Sequence, residues 1–143
     1  MVIADVLRAK GSDVERIGAN ETVADAVRHL SENRIGALVV EDRWLHLAGI
    51  FSERDFLNAV AKQGASALDR QVAELMSSPV LTCHPADRLE DILAKMTNAR
   101  IRHLPVVEDG NLIGIVSIGD LVKHRLAELE ASVDVSRLKS RRE

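Results

Sequence analysis

The sequence predicts an α+β fold built from two similar units, and three observations carry this prediction. The motif Gly-Ile-apolar-Ser-x-x-Asp occurs at residues 49–55 and again at residues 114–120. A helical pattern precedes each motif, and an apolar run typical of a strand lies between the helix and the motif. A unit of this size has too small a core to be stable alone, so we expect the two units to pack face to face through their small sheets.

The first helix of each unit is predicted by one stripe of apolar residues. The stripe follows the i, i+3, i+4, i+7 spacing that places side chains on a single helical face. Asp87 and Glu90, at the start of the second of these helices, also predict a capping box. The two stripes are 66 positions apart and comprise Val23, Ala26, Val27 and Leu30, and then Leu89, Ile92, Leu93 and Met96.

Two short strands are predicted in each unit after this helix. The first strands lie at residues 37–40 and 104–107, and each is followed by a second strand that leads into the motif. Asp109-Gly110 predicts a tight hairpin between the two strands of the second unit. Pro105 cannot donate a backbone hydrogen bond, so we expect it at the start of a strand or on an edge strand.

The repeat also sets the predicted domain boundaries. Each unit reads strand, helix, strand, hairpin, strand, helix, and Gly64 is placed to end the last helix of the first unit. The opening of the chain and the segment after the first unit share a pattern of short helix, break and short strand. We predict a first unit at residues 1–64, a linker at 65–71, a second unit at 72–130 and a helical, basic tail at 131–143.

Composition argues against several classes of partner. The net charge is −3 and 2% of the residues are aromatic, so neither a basic field nor stacking rings favour nucleic acid. No apolar run approaches the length of a membrane span, so we expect no membrane partner. Cys83 is the lone cysteine, which rules out an internal disulfide and is typical of a reducing cytoplasm. We therefore predict a cytoplasmic protein.

The repeated segments resemble a known family. "IGALVV" followed by "GIFSERD", and "IRHLPVV" followed by "GIVSIGD", are similar to the marks of a tandem pair of CBS domains, the regulatory repeat named after cystathionine β-synthase. The resemblance covers nearly all of the chain and is closest to stand-alone bacterial pairs. It implies a pseudo-twofold pair of βαββα units whose clefts bind adenosine-containing ligands such as AMP, ADP, ATP, NAD(H) or S-adenosylmethionine.

The chemistry of the motif suits such a ligand. A carboxylate can accept hydrogen bonds from both ribose hydroxyls, and a serine hydroxyl can reach the ribose or the first phosphate. The motif lies where a strand turns into a helix, so free N–H groups and the helix dipole favour a phosphate. The same Ser-x-x-Asp pattern is also a capping box that needs no ligand, and the two roles are compatible. The candidates, including an isoleucine to cover adenine, are Ile50, Ser52 and Asp55, and Ile115, Ser117 and Asp120.

The geometry of the family implies that each cleft combines residues of both units. The cleft of Asp120 would take its adenine wall from the first unit, and the cleft of Asp55 would take its wall from the second. The first wall comprises Ile17, Gly18, Ile35, Gly36 and Ala37, and the second comprises Thr82, Cys83, Ile101, Arg102, His103, Leu104 and Pro105.

The two clefts are predicted to be unequal. Arg102-His103 stands where the first unit has Gly36-Ala37, and related modules use basic residues there for the phosphates of their own unit's cleft. Lys123 follows on the adjacent helix. We therefore expect the Asp120 cleft to bind more tightly and to suit several phosphates. In the first unit, Arg54 either serves a phosphate, pairs with a neighbouring acid or contacts a dimer partner.

These features predict a regulatory sensor that binds an adenine nucleotide and is not an enzyme. No base is paired with a nucleophile, the histidines lack metal-ligand spacing, and no cofactor is required. AMP or NAD(H) is the favoured ligand, and ATP is a further candidate. We expect a homodimer through the helices that follow the motifs, at Val60 and Leu121, and an unknown protein target. The alternative is a structural or oligomerisation module with vestigial clefts that regulates a partner protein by contact.

Overall fold

The computed structural model describes the backbone of residues 1–142 and the side chains of residues 1–133. The side chains of the predicted basic tail after residue 133 lie outside the described residues. The chain contains both helices and small sheets, which confirms the α+β class. The helices are α1 Ile3–Lys10, α2 Val23–Asn33, α3 Glu53–Gln63, α4 Val72–Leu75, α5 Leu89–Ala99 and α6 Ile118–Arg142. The strands are β1 Arg16–Gly18, β2 Ala37–Glu41, β3 Leu47–Ser52, β4 His103–Glu108 and β5 Asn111–Ser117. A 3₁₀ helix spans Gly64–Asp69 and overlaps most of the predicted linker at residues 65–71.

The chain forms two compact units that differ from the two sequence repeats in one respect. We call Asp13–Leu81 the N unit, and Met1–Ser12 together with the chain from Thr82 onward the C unit. Helix α1 thus belongs to the unit that holds the second repeat, and α4 belongs to the unit that holds the first. Each unit is completed by the short helix that begins the other repeat.

These two short helices are attached in the same way. The backbone N–H of Ile3 donates to the carbonyl of Asp87 at 3.0 Å, and that of Val72 donates to Glu21 at 2.8 Å. Glu21 and Asp87 are 66 positions apart, so they are equivalent residues of the two repeats. Because these bonds join segments distant in sequence, short-range patterns could not reveal them.

The sheets of the two units differ because of one proline. In the N unit, β1 pairs in parallel with β2, and the N–H of Val39 donates to Glu15 at 3.1 Å. The equivalent residue of the C unit is Pro105, which has no N–H to donate. The strand that would correspond to β1 is reduced to a single bridge between Cys83 and Val106. Pro105 therefore lies on an edge strand, as predicted.

The predicted hairpin of the C unit is confirmed. Strands β4 and β5 pair in antiparallel fashion up to Glu108 and Asn111, which leaves a two-residue turn. Both turn residues have positive φ, 52° at Asp109 and 78° at Gly110, as a type I′ turn requires. In the N unit the longer turn between β2 and β3 holds Leu45 at a φ of 64°.

Each unit has a core of its own. The apolar stripes of α2 and α5 are buried against the sheets, as their spacing predicts. Phe51 is fully buried in the N unit, and Val116 is fully buried at the equivalent position of the C unit. Leu121 is also fully buried, in the core of the C unit, so the expectation that it lies on a shared dimer face is wrong.

The N-termini of α2 and α5 are finished differently. The hydroxyl of Thr22 accepts the backbone N–H of Asp25 at 3.2 Å and caps α2. The equivalent residue at α5 is Arg88, whose side chain makes no capping bond. The predicted capping box of Asp87 and Glu90 is wrong, since Asp87 accepts instead the N–H of His84 at 2.8 Å. Helix α5 therefore begins without a side-chain cap.

Candidate functional site

The first Ser-x-x-Asp motif joins β3 to α3 and forms a capping box. The Ser52 hydroxyl accepts the backbone N–H of Asp55 at 3.2 Å, and Asp55 Oδ2 accepts the N–H of Ser52 at 2.9 Å. The Ser52 hydroxyl also lies 3.1 Å from the same carboxylate oxygen and donates to it. The predicted cap role of the motif is therefore present, with part of the carboxylate already engaged.

The remaining oxygen of Asp55 is engaged as well. Ser77, just beyond α4, donates its hydroxyl to Asp55 Oδ1 at 2.9 Å. Gly49 permits this approach, because a Cβ atom there would come within 2.9 Å of the Ser77 carbonyl oxygen and 2.5 Å of Met76 Sδ. A ribose hydroxyl that binds Asp55 must therefore share or displace a neutral hydrogen-bond donor.

The second motif joins β5 to α6 with the same backbone geometry. The Ser117 hydroxyl accepts the N–H of Asp120 at 3.1 Å, and Asp120 Oδ2 accepts the N–H of Ser117 at 2.9 Å. Within the described residues, Oδ1 of Asp120 accepts no hydrogen bond. About a quarter of this side chain is exposed, at 27%. An acceptor is thus open at Asp120 that is occupied at Asp55.

A lysine lies against the second motif. Lys10, the last residue of α1, donates to Asp120 Oδ2 at 2.6 Å and to the carbonyl oxygen of Ile115 at 2.8 Å. Partial burial tends to raise the pKa of Asp120, but the hydrogen bonds from Lys10 and from the Ser117 N–H outweigh it and lower the pKa. Asp120 is therefore held as a carboxylate with a cation beside it.

The basic residues predicted for phosphate binding lie close to the second motif. The N–H of Ile118 donates to the carbonyl of Arg102 at 2.8 Å, and His103 pairs with Ser117 across β4 and β5. The Arg102 and Lys123 side chains are exposed. In the N unit, the N–H of Glu53 donates to the carbonyl of Gly36 at 3.0 Å, while Ala37 pairs with Ser52. Only the C unit brings a basic pair to this place. Arg54 is exposed on the first turn of α3.

The other predicted wall residues are split between the units. The side chains of Cys83 and Leu104 belong to the core of the C unit, and that of Ile17 belongs to the core of the N unit. These residues offer a ligand chiefly their backbone groups. The remaining wall and adenine-face positions are Gly18, Ile35 and Ile50 in the N unit, and Thr82, Ile101, Pro105 and Ile115 in the C unit. A cleft that combines both sets stays a prediction.

Some of those backbone groups already have partners. The N–H of Gly18 donates to Glu21 Oε2 at 2.9 Å, and the carbonyl of Thr82 accepts Lys95 Nζ at 2.6 Å. Lys95 had no place in the predicted site; it lies on α5, one residue before Met96, the last member of the apolar stripe.

Other kinds of site receive no support. Burial raises the pKa of the Cys83 thiol to about 12, so the sulfur stays protonated and is a poor nucleophile. Among the residues that the structure describes, no group of three His, Cys, Asp or Glu side chains is arranged to hold a metal ion. The described helices also include none with the length and apolar character needed to cross a membrane.

Two contact residues, Lys10 and Ser77, were missed by reasoning from the sequence. Each reaches the motif from the segment that begins the other repeat, Lys10 from the end of α1 and Ser77 from just beyond α4, and Lys10 is 110 positions from Asp120. The similarity between the two short-helix segments was a usable signal, but it does not say which unit each helix joins.

Comparison with known proteins identifies the family. Residues 3–62 and 72–127 each match the CBS domain family, and together they cover most of the chain. The chain therefore belongs to the CBS domain family, as its repeated motifs suggest.

Several relatives extend this assignment. The crystal structure of the CBS-domain containing protein ATU1752 from Agrobacterium tumefaciens is 41% identical and has a TM-score of 0.84, over 87% of this chain and 92% of that one. The mitochondrial CBS domain-containing protein CBSX3 from Arabidopsis thaliana is 36% identical in an alignment 129 residues long, which covers 85% of this chain and 63% of that protein. This chain thus spans less than two thirds of the length of CBSX3.

A more distant structure was solved with ligands. The CBS domain pair of protein MJ0100, in complex with 5′-methylthioadenosine and S-adenosyl-L-methionine, has a TM-score of 0.79 over 90% of this chain and 98% of that one. Its sequence identity is 23%, so the likeness concerns the fold.

Proposed function

We propose that this chain is a regulatory module that binds an adenosine-containing ligand at its Ser-x-x-Asp motifs and is not an enzyme. The observation that carries the proposal is the open Oδ1 of Asp120, beside a serine hydroxyl and at the N-terminus of a long helix. A carboxylate in this position suits ribose hydroxyls, and the helix N-terminus suits a phosphate. Protein MJ0100, which shares the fold, was solved with two adenosine compounds.

The ligand we favour is AMP or NAD(H), with ATP as a further candidate. Arg102 and Lys123 bring positive charge to the Asp120 motif and His103 adds an imidazole ring, whereas the Asp55 motif has Gly36 and Ala37 at the positions of Arg102 and His103. Charged hydrogen bonds to phosphate are stronger than neutral ones. The Asp120 site is therefore the tighter of the two in this proposal.

Binding can regulate only if the ligand prefers one state of the protein over another. The exposed face of α6 is a candidate for the element whose packing changes, since four apolar side chains lie along it at spacings of four, three and four. We propose that a second copy of the chain covers this face in a homodimer. These residues are Val122, Leu126, Leu129 and Val133, with exposed fractions of 44%, 55%, 45% and 49%.

A thermal-shift panel tests the binding proposal. AMP, ADP, ATP, NAD, NADH and S-adenosylmethionine are each added at rising concentration, with inorganic phosphate at equal ionic strength as the control. A ligand at 100 times its Kd should stabilise the fold by about 2.7 kcal/mol, which raises the Tm by roughly 5–10 °C. If none of the adenosine compounds raises the Tm, the proposal is contradicted.

A second candidate function has one observation in its favour. Both motifs complete their own capping boxes, so the aspartates have a structural role without any ligand. A module that acts only by oligomerisation would keep these caps and show a Tm that no nucleotide changes. Light scattering and the thermal-shift panel on wild type and Leu126→Glu then separate ligand binding from oligomerisation. The substitution should dissociate the dimer, and it should leave nucleotide binding intact if the chain is a ligand sensor.

A further inference from the structure

Lys10 is a charged residue of the C unit that the family motif does not include. Its ammonium contacts two atoms of the motif region, Asp120 Oδ2 at 2.6 Å and the Ile115 carbonyl oxygen at 2.8 Å. The side chains of Lys10 and Asp120 are 32% and 27% exposed. The pair is thus ordered by two contacts but remains within reach of a solute.

The hydrogen-bonding capacity of this pair is only partly used. An ammonium has three N–H donors, and two of those of Lys10 are spent on Asp120 and Ile115. The third N–H has no acceptor among the described residues. Asp120 Oδ1 likewise accepts no hydrogen bond from any of them. One open donor and one open acceptor therefore lie side by side.

The N unit supplies a natural contrast. The contact to Asp55 from outside its motif comes from the Ser77 hydroxyl, which is neutral. The position of Lys10 at the C-terminal end of α1 also favours a cation, because the helix dipole is negative there. The two motifs thus present different charges to a ligand that would approach them in the same way.

We propose that Lys10 is a charge-selecting residue of the Asp120 site, which makes that site accept adenosine phosphates and disfavour neutral or cationic adenosine compounds. This inference rests on the proposed function. Lys10 keeps its bond to Asp120 Oδ2, ribose hydroxyls bind Oδ1, and the third N–H binds a phosphate oxygen. A cationic sulfonium in the same place is repelled by the ammonium.

Calorimetry of wild type and Lys10→Gln with AMP, adenosine and S-adenosylmethionine tests the inference. We expect the variant to lose about tenfold in AMP affinity, to change by less than about twofold with adenosine, and to gain with S-adenosylmethionine. Lys10→Arg keeps the charge and should retain most of the AMP affinity. Opposite signs for the anionic and the cationic ligand are the result that a purely structural role of Lys10 would not produce.

Arg8→Gln is the matched control. It removes the same charge from the same helix, but Arg8 is 73% exposed and pairs with Asp5 instead of Asp120. It should leave all three affinities unchanged. Equal losses for AMP and adenosine in Lys10→Gln, or no loss in either, would overturn the inference while leaving the proposed function in place. If wild type binds none of these three ligands, and none of the other adenosine compounds of the thermal-shift panel, the proposed function itself is overturned instead.

Discussion

The two Ser-x-x-Asp motifs share one backbone geometry and differ in the residue that contacts the aspartate from outside. Asp55 accepts a hydrogen bond from the Ser77 hydroxyl, and both of its carboxylate oxygens are engaged. Asp120 accepts a hydrogen bond from the Lys10 ammonium, and none of the described residues donates to its Oδ1. The repeat thus conserves the turn, while the short helix added to each unit decides the charge and the free acceptors that a ligand meets.

The two units also differ in their cores, where we expect substitutions to have the largest effect on stability. Phe51 and Val116 are equivalent and fully buried. Phe51→Ala should lower the free energy of unfolding by about 3–5 kcal/mol, and Val116→Ala by roughly 1.5–3 kcal/mol, because fewer buried carbons are removed. Urea denaturation measures both values. Equal losses would mean that the two cores are packed to different densities.

The two glycines that open the motifs differ in what surrounds them. A Cβ at Gly49 would lie 2.9 Å from the Ser77 carbonyl oxygen, whereas a Cβ at Gly114 would lie 2.7 Å from a methyl group of Leu7. A leucine methyl can move and a backbone carbonyl cannot do so cheaply. Gly49→Ala should therefore destabilise the protein by about 1–3 kcal/mol, and Gly114→Ala by less than about 1 kcal/mol.

Thermal or urea unfolding of both variants checks this order. Leu7→Ala in combination with Gly114→Ala is the control, since it removes the methyl group that the new Cβ meets. A larger loss for Gly114→Ala than for Gly49→Ala would contradict the account of how closely α4 approaches the first motif.

Substitutions at the helix caps should change the stability by smaller amounts, with opposite signs at α2 and α5. Thr22→Ala removes the side-chain cap of α2 and should cost about 1 kcal/mol. Arg88→Thr places a capping residue at the equivalent start of α5 and should stabilise the protein by up to about 1 kcal/mol. Chemical denaturation gives both values, and a loss of stability in Arg88→Thr would show that Arg88 has a role that the cap does not replace.

The contribution of the Lys10–Asp120 ion pair to stability should be lost in acid. The pKa of Asp120 is lowered in the folded protein, despite partial burial, by Lys10 and the Ser117 N–H. Its contribution to stability is therefore complete above the unfolded pKa of about 3.9 and is lost as the pH falls through the lower folded value. Urea midpoints measured from pH 6 downward should fall less steeply below pH ~4 in Lys10→Gln than in wild type. Identical slopes would contradict the assignment of this contact.

Much of the fold follows from short-range patterns in the sequence. The apolar stripes define α2 and α5, Asp109 and Gly110 define the hairpin, and Gly64 ends α3 at the predicted place. Each of these depends on residues a few positions apart, for which spacing and backbone preference are sufficient. The predicted capping box at Asp87 failed because the same residue also suits the preceding turn.

The candidate site is less predictable because it depends on long-range contacts. The motif itself and the basic pair beside it were found from the sequence. The contacts of Lys10 and Ser77 were not, since both residues lie in short-helix segments that join the unit of the other repeat. The burial of Leu121 was also not predictable from local spacing. It depends on how α6 packs in the C unit, whereas the adjacent residue Val122 belongs to the exposed apolar face.

Titration of AMP into Asp120→Asn and Asp55→Asn, by calorimetry, tests the central claim that the two motifs are unequal ligand sites. Asparagine keeps the cap geometry and removes the charge. Asp120→Asn should weaken the tight phase of AMP binding by roughly 1.5–3 kcal/mol, or about ten- to 150-fold in affinity, and Asp55→Asn should leave that phase unchanged. Loss of the tight phase in Asp55→Asn, with wild-type binding in Asp120→Asn, would contradict the account.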